Sequence, residues 1–423
     1  MENSRPSLFK LDYNSPEFLK SPFRYYRIMQ ARYPLYFHAP TNAYLLTRYE
    51  DVALALKDPL FSTACNDDLF GHMFRKTLIQ LEGQEHIVFR NMISTPLRGK
   101  DLMQHTIPVI IKQVQALMEG LLGRKQFNFV SDFAARLPIA VMTAILGVDP
   151  KDLSFIQQCY KTIVRNLGNF AGNPAIKAEG SRMVIALCNY MYPLIRQYRL
   201  QPGPGLISLL SSAEIHGIKM TDQDIIDAIG SLISAGIETV DRTLRSLFRN
   251  LIAHPDQLAL VRHNRHLVSH AIAETLRLNA PAQIMLRQPI EDYYIAGGMI
   301  PAHARVLCII GAANRDSRKF SHPDTFDINR PDLDVNKAFI GSANHVAFGT
   351  GRHFCVGAML AKAEISIAAN ILLDHFSDLR FLDNKIPAET GFSTRTVLRM
   401  NLETTEPPTT LLPYTFDPAL LEP

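Results

Sequence analysis

The strongest constraint on the fold is a long helical pattern between Thr221 and Pro255. Thr221 and Asp224 match a capping box, in which two side chains satisfy free backbone N–H groups at a helix start. Pro255 predicts the end of the helix, because the residue before a proline disfavours helical geometry. The pattern spans roughly 33 residues, which corresponds to a helix about 50 Å long. Since few polar residues interrupt residues 225–240, we expect this helix to cross the protein and to be buried on most sides.

The remaining pattern predicts a mainly α fold with a smaller β region. Residues 85–255 have helical spacing almost throughout, and within them one helix is predicted to end at Gly147 and the next to start after Pro150. Strand patterns flank this helical body, with a hairpin in residues 35–49, two β-rich runs after Pro281 and a strand in residues 391–403. Because the sheet region draws on both ends of the chain, we expect a single domain over residues 1–423.

Composition excludes several classes of protein. The net charge is +4 at pH 7 and there is no run of Lys and Arg, so we expect no binding of nucleic acid. No stretch of about 18 apolar residues is present, so we expect no membrane span. The N-terminal residues lack the apolar core of a signal peptide. Five scattered cysteines without C-x-x-C pairs indicate reduced thiols. These features predict a soluble, cytoplasmic protein.

Cys355 lies between a glycine-rich basic loop and a predicted helix, and four roles are open to it. It could be a buried structural residue, a nucleophile with a base nearby, a zinc ligand, or the single thiolate ligand of a haem iron. Zinc requires three further ligands, and the sequence offers no Cys/His cluster. Glycines at 349, 351 and 357 allow the backbone to approach a flat, bulky group. A helix starting just after the cysteine would stabilise the thiolate. These neighbours favour the haem ligand.

The same loop carries a motif that resembles the haem-binding signature of the cytochrome P450 superfamily, namely Phe348-Gly349-x-Gly351-x-His353-x-Cys355-x-Gly357. These proteins are haem-thiolate monooxygenases, and the resemblance, to the soluble bacterial type, extends over about residues 20–405. It implies the cytochrome P450 fold, which has a triangular helical body, a long central helix over the haem and a haem-thiolate loop. It also implies haem b, with Cys355 as the axial ligand of the iron and with four further cofactor-binding residues in the loop: Phe348, Gly349, His353 and Gly357.

Glu274 and Arg277, in the sequence ETLR, lie three residues apart and so share a helix face. From spacing alone they could be an ordinary solvated pair, and Arg330 could belong to a surface loop. The resemblance implies a buried ion pair that Arg330 joins and that holds the cysteine loop in place.

The long helix contains Ala235, Gly236, Glu238 and Thr239. In an ordinary helix the Thr239 hydroxyl would bond to the carbonyl four residues earlier, and Glu238 would be solvated. The resemblance implies that Ala235 contacts the haem and that the helix opens at the Gly/Thr step. It assigns Glu238 and Thr239 a catalytic role, the relay of protons to bound dioxygen.

His86 and Arg90 are four residues apart, one turn on the same helix face. They could be a solvated pair. The resemblance implies that they bind the haem propionates together with Arg287 and His353, which gives four potential cations for two carboxylates. The preceding Glu82-Gly83-Gln84 differs from the Asp-Pro-Pro that is usual in the family.

The resemblance implies a monooxygenase that uses two electrons to activate dioxygen and then hydroxylates or otherwise oxidises a small organic substrate. Electrons would come ultimately from NAD(P)H through a ferredoxin or flavodoxin and its reductase. Four cations could contact such an acidic partner or be ordinary surface charges: Arg98, Lys100, Arg352 and Lys362.

Family analogy also predicts which segments line the substrate pocket: residues 61–80, 166–175, 233–239, 283–286 and 392–394. Their mixed polarity favours a medium-sized, partly polar intermediate of natural product biosynthesis over a fatty acid or a bare terpene. Two alternatives stay open. One is an oxidative coupling or peroxide-driven enzyme of the same fold, and the other is a haem-binding or sensor protein without turnover.

Overall fold

The computed structural model describes residues 10–169 and 172–421. Two parts of the predicted pocket lining, residues 170–171 and the side chains of Asp68 and Leu69, lie outside the described residues. The predicted mainly α architecture with a smaller β region is confirmed. Helices of the N-terminal half are α1 (Pro16–Lys20), α2 (Phe23–Arg32), α3 (Tyr49–Lys57), α4 (Asp67–Phe70), α5 (Gly83–Ser94), α6 (Gly99–Asp101), α7 (Ile107–Glu119), α8 (Leu137–Leu146), α9 (Leu153–Leu167), α10 (Pro174–Leu200) and α11 (Leu206–Ser212). Those of the C-terminal half are α12 (Asp222–Ala253), α13 (Pro255–His263), α14 (Leu267–Leu278), α15 (Ile310–Ala313) and α16 (Ala358–His375).

Helix α12 is the predicted long helix, and it has 32 residues. Both hydrogen bonds of the capping box between Thr221 and Asp224 are present, and the next helix begins at Pro255. Buried side chains occur along its whole length, from Ile225 to Ile252. It packs against α8, α9, α10, α14 and α16, so the prediction of a buried, central helix is confirmed.

Helix α8 ends where the sequence predicts, at Gly147. This residue has a φ of 79°, in the left-handed region that favours glycine. A Cβ atom there would lie 2.4 Å from the carbonyl oxygen of Pro204, so only glycine lets the loop at residues 201–205 pack against the helix end.

The strands are short, and they are β1 (Leu35–His38), β2 (Ala43–Leu46), β3 (Phe61–Ser62), β4 (Gln126–Asn128), β5 (Glu214–Ile215), β6 (Ile218–Lys219), β7 (Ile284–Pro289), β8 (Tyr293–Ile295), β9 (Gly298–Ile300), β10 (Arg305–Ile309), β11 (Arg380–Phe381), β12 (Glu389–Thr390), β13 (Thr396–Val397) and β14 (Asn401–Glu403). The largest sheet has five strands in the order β1-β2-β10-β7-β3. Strands β2 and β10 are parallel, with Ala43 opposite Arg305, and the other pairs are antiparallel. The predicted hairpin and the sheet built from both chain ends are therefore confirmed.

The single strand predicted for residues 391–403 is wrong in detail. Two short strands, β13 and β14, form instead, and they pair with different partners. The chain bends between them at residues 398–400, so one strand cannot run through. In the described part of the chain, no helix is both long enough and apolar enough to cross a membrane.

Candidate active site

The cysteine loop folds back on itself, because the N–H of Cys355 donates to the carbonyl of Phe348 at 2.9 Å. Gly349 and Gly351 have φ values of 68° and 72°, which favour glycine. A Cβ atom on Gly351 would lie 3.0 Å from the Cα of Lys57, so the loop packs closely on the end of α3. The loop thus presents Cys355, only partly buried, three residues before α16 begins.

Cys355 differs from the fully buried Cys159 and Cys308, whose thiol pKa burial raises to about 12. Burial also raises the pKa of Cys355, although the N–H of Gly357 and the charge of Arg90 oppose the rise. These groups favour the thiolate, as the position before the helix start predicts, but desolvation outweighs them. A bound metal would displace the proton, because cysteine ligates metals as the thiolate.

The zinc role for Cys355 finds no support in the described residues, where no three His, Cys, Asp or Glu side chains are grouped to hold a metal ion.

The middle of α12 has one exposed side, because Ala235 is exposed while Ile233, Ile237 and Val240 are buried. Thr239, one turn later, is partly exposed on the same side, and its Oγ1 donates to the carbonyl of Ala235 at 2.8 Å. The helix continues without a break through this turn. The expected opening at the Gly/Thr step is therefore not present, because the hydroxyl makes the ordinary bond to the carbonyl four residues earlier.

Glu238 is largely buried and forms an ion pair with Arg242, one turn later on α12. Asp241 and Arg245 form a second such pair beside it. Glu238 is therefore not solvated, and Arg242 is a neighbour that the sequence interpretation missed. The spacing of four residues between opposite charges was the signal that could have found it.

The four residues that the resemblance assigns to the propionates lie close to one another: His86, Arg90, Arg287 and His353. The rings of His86 and His353 are 4.4 Å apart between centroids, and the charges of Arg90 and His353 both act on His86. Within residues 10–169 and 172–421, neither Arg90 nor Arg287 has a carboxylate partner. Arg287 is buried and donates to the carbonyl of its neighbour Leu286.

This group of side chains fits an anionic ligand. The Nε2 of His86 is buried without a hydrogen-bond partner, and burial lowers the pKa of both Arg90 and Arg287. Burying cations without anions is costly unless a ligand supplies the opposite charge. Two propionates beside a thiol and a glycine loop are such a ligand, so the residues present fit haem.

The four potential cations do not carry equal charge at neutral pH. Burial, with the charges of His353 and Arg90, lowers the pKa of His86 to about 4, so its ring is neutral. Burial also lowers the pKa of His353, which the carboxylate of Glu82 raises. The permanent charges are therefore the guanidiniums of Arg90 and Arg287, and His86 serves as a neutral N–H donor.

Glu274, Arg277 and Arg330 form a fully buried cluster, so the alternatives of a solvated pair and a surface loop are wrong. Arg277 donates to both carboxylate oxygens of Glu274, at 2.7 and 2.8 Å, and Arg330 Nε lies 3.1 Å from the same carboxylate. Arg277 also donates to the carbonyl of Asn314, whose side-chain oxygen accepts the N–H of Val346. Asn314, which the sequence interpretation missed, thus links this cluster to the start of the cysteine loop.

Of the four cations predicted to contact a redox partner, Lys362 is not at the surface and Arg352 is already paired within the protein. Lys362 is buried, and burial lowers its pKa to about 8. Arg352 donates to Glu82 and to the carbonyl of Phe61. Arg98 and Lys100 are exposed, as a docking surface requires.

Gln283 is buried rather than exposed in the predicted pocket lining. Its Nε2 donates to the carbonyl of Ala280, and its Oε1 lies where a Cβ atom of Gly311 would be, only 1.8 Å away. The missing side chain of Gly311 leaves the space that the amide of Gln283 occupies.

Comparisons with known proteins agree with the geometry. A family model described as Cytochrome P450 matches residues 189–396. Pulcherriminic acid synthase of Bacillus subtilis (strain 168) is 34% identical over 383 residues, which cover 90% of this chain and 94% of the relative.

Two solved structures share the fold. One is cytochrome P450 CYP109Q5 from Chondromyces apiculatus, with a TM-score of 0.83, 26% identity, and coverage of 94% of this chain and 98% of the other. The second is P450BioI in complex with hexadec-9Z-enoic acid ligated acyl carrier protein, with a TM-score of 0.81, 27% identity, and coverage of 92% and 100%.

Proposed function

Because the chain belongs to the cytochrome P450 family and is therefore a cytochrome P450 monooxygenase, we propose that it oxidises a small intermediate of secondary metabolism. Its electrons come from NAD(P)H through a ferredoxin or flavodoxin and its reductase. The observation that carries the assignment is the partly accessible Cys355 near the charge of Arg90, together with the buried Arg287. Neither arginine has a carboxylate partner among the described residues.

Each residue of the site has a defined part in this function. Haem, when bound, supplies the activation of dioxygen. Cys355 provides the sulfur ligand, and Arg90 and Arg287 orient the propionates through charge-assisted hydrogen bonds. Thr239 would pass its Oγ1 proton towards the exposed side of α12 beside Ala235. Glu238 would replace that proton after it releases Arg242 and takes up a proton from solvent water.

The substrate assignment is supported by a named relative and by the side chains near the cysteine loop. The relative that shares 34% identity is named for the synthesis of pulcherriminic acid. The partly exposed Ile284, Met285 and Leu286 are apolar, and Met285 lies against Gly349 of the cysteine loop. With Gln283 buried, these side chains favour the apolar portion of a partly polar substrate.

Replacing Cys355 with serine tests the sulfur ligand. We expect the variant to lose the red-shifted Soret band of the reduced carbon monoxide complex, because serine cannot supply a thiolate. The control is Cys188→Ser, which removes another partly buried thiol from helix α10 and should keep the band. A band that survives in the Cys355 variant would refute the ligand assignment.

Replacing Thr239 with alanine tests the proton path. We expect peroxide release to rise and product formed per electron pair to fall, while the free energy of unfolding changes by only about 1 kcal/mol, the net value of one hydrogen bond. Thr243→Ala is a matched control, because the Thr243 hydroxyl makes the same kind of bond to the carbonyl of Thr239, at 2.7 Å. Equal coupling in the two variants would remove the role of Thr239.

A further inference from the structure

Glu82, just before helix α5, joins three segments of the molecule. Its carboxylate accepts hydrogen bonds from Arg352 Nε at 2.7 Å and from Arg352 Nη2 at 3.2 Å. It also accepts from the N–H and the hydroxyl of Thr63, both at 3.0 Å. His353 Nε2 lies 3.4 Å away. Glu82 thus ties the cysteine loop to the start of α5 and to the chain just after β3.

The charge of Glu82 completes the balance of the site. Arg352 adds a third guanidinium, and its charge acts on Arg287. Although burial opposes it, hydrogen bonds from His353 and Arg352 lower the pKa of Glu82, so the carboxylate is ionised at neutral pH. Two propionates would match Arg90 and Arg287, and Glu82 neutralises Arg352. Without Glu82 the site would carry one uncompensated positive charge.

Glu82 also fixes the orientation of His353. The imidazole of His353 lies between the ring of His86 on one side and the carboxylate of Glu82 at its Nε2. The side chain of His353 is nearly fully buried, and the hydroxyl of Thr63 is within 3.5 Å of the same nitrogen. The ring therefore cannot be turned without breaking contacts that converge on Glu82.

We propose that Glu82 is a positioning residue of the haem site: it holds Arg352 and His353 in place and offsets the charge of Arg352 near the iron. This inference rests on the proposed function, because it concerns the affinity of the site for haem and the potential of its iron. Glu82 touches neither the substrate nor the reacting atoms. It acts through the two residues that precede the cysteine ligand in the loop.

The test is a set of charge variants of the purified protein, measured by hemin titration and by the reduction potential of the iron. In Glu82→Gln we expect hemin affinity to fall about 10- to 100-fold, the range typical for residues that orient metal ligands. We expect the potential to shift in the positive direction, because an uncompensated cation favours the reduced iron. Arg352→Gln should shift the potential in the negative direction, and the double variant should return close to wild type.

Two further variants separate charge from structure. Glu82→Asp keeps the charge, so its potential should stay close to wild type even if hemin affinity falls. Glu85→Gln is the matched control, because Glu85 lies only three positions later, in the first turn of α5, pairs with Lys76 and should leave both properties unchanged. If Glu82→Gln does not fold, the negative shift in Arg352→Gln and the potential of Glu82→Asp decide the question.

The outcomes distinguish the two proposals. A wild-type protein that does not bind hemin through sulfur would overturn both the proposed function and the role of Glu82. A second outcome is that the wild type binds hemin through sulfur while the Glu82→Gln and Arg352→Gln variants have the same reduction potential as Glu85→Gln. That result would overturn the role of Glu82 and leave the proposed function intact.

Discussion

Arg277 and Arg287 are both buried and lie ten positions apart, yet their surroundings are opposite. Arg277 donates to both oxygens of Glu274 and to three backbone carbonyls. Arg287 donates to one carbonyl, that of Leu286, and has no carboxylate partner in the described residues. The first arginine completes a cluster that belongs to the protein, whereas the second is incomplete without an external anion.

The difference has an energetic meaning. A buried ion pair with all its hydrogen bonds formed is costly to break, because the remaining partner is left as an unpaired charge. A buried cation without a partner lowers the stability of the free protein and raises its affinity for an anion. The cluster of Glu274 should therefore matter for folding, and Arg287 should matter for binding.

The largest effect is expected for Glu274→Gln. It leaves Arg277 and Arg330 without their carboxylate, so we expect the free energy of unfolding to fall by about 3–5 kcal/mol. Denaturant titration of the haem-free protein measures this loss. Glu17→Gln removes an exposed partner of Arg24 and should leave the free energy of unfolding almost unchanged, because solvent screens this pair. Equal losses of unfolding free energy in the two variants would contradict a special role of the buried cluster in folding.

A smaller effect, of the opposite kind, is expected for Arg287→Gln. The haem-free protein should be as stable as wild type or more stable, because a desolvated charge is removed. Hemin affinity should fall by about 10- to 100-fold. Soret absorbance during hemin titration measures the second quantity, with the exposed Arg98→Gln as control. A loss of folding stability as large as that of Glu274→Gln would show that Arg287 is structural as well.

The smallest effect is a pH dependence that arises from His86. Its folded pKa is about 4, below the ordinary value of about 6.5, so the unfolded chain binds more protons between these values. The stability that His86 contributes is therefore complete above about pH 6.5 and is lost as the pH falls towards 4. In His86→Gln, unfolding midpoints of the haem-free protein should depend less on pH in this window.

The exposed residue His105 provides the control for that measurement, as His105→Gln should keep the wild-type slope. The fully buried His345, whose pKa burial also lowers to about 4, stays in both variants and contributes equally. An identical slope in the His86 and His105 variants would mean that His86 is not held neutral by the fold.

Local sequence signals were enough to predict where the main helices begin and end. The capping box at Thr221 and the proline at 255 gave the bounds of α12, and Gly147 gave the end of α8. These features act within a few residues, so they can be read without knowledge of the tertiary structure. The clustering of Glu274 with Arg330 needed the family resemblance, because 56 positions separate them.

The errors arose where burial or a distant partner decides the outcome. Lys362 looks like an exposed cation in sequence, but α16 is buried on most sides and takes it into the interior. Gln283 looks like a pocket residue, but the absence of a side chain at Gly311 gives it another place. Glu82 pairs with Arg352 across 270 positions, and no spacing rule predicts such a contact.

The parallel pairing of β2 with β10 has a consequence for how the protein is made. Roughly 260 positions separate Leu46 from Arg305, so at 5–20 residues per second the first hairpin emerges from the ribosome on the order of 10–50 s before its partner strand. Until then one edge of β2 is unpaired, and such edges promote aggregation. Cys355 emerges later still, so its sulfur can bind a cofactor only after all five strands of this sheet have been made.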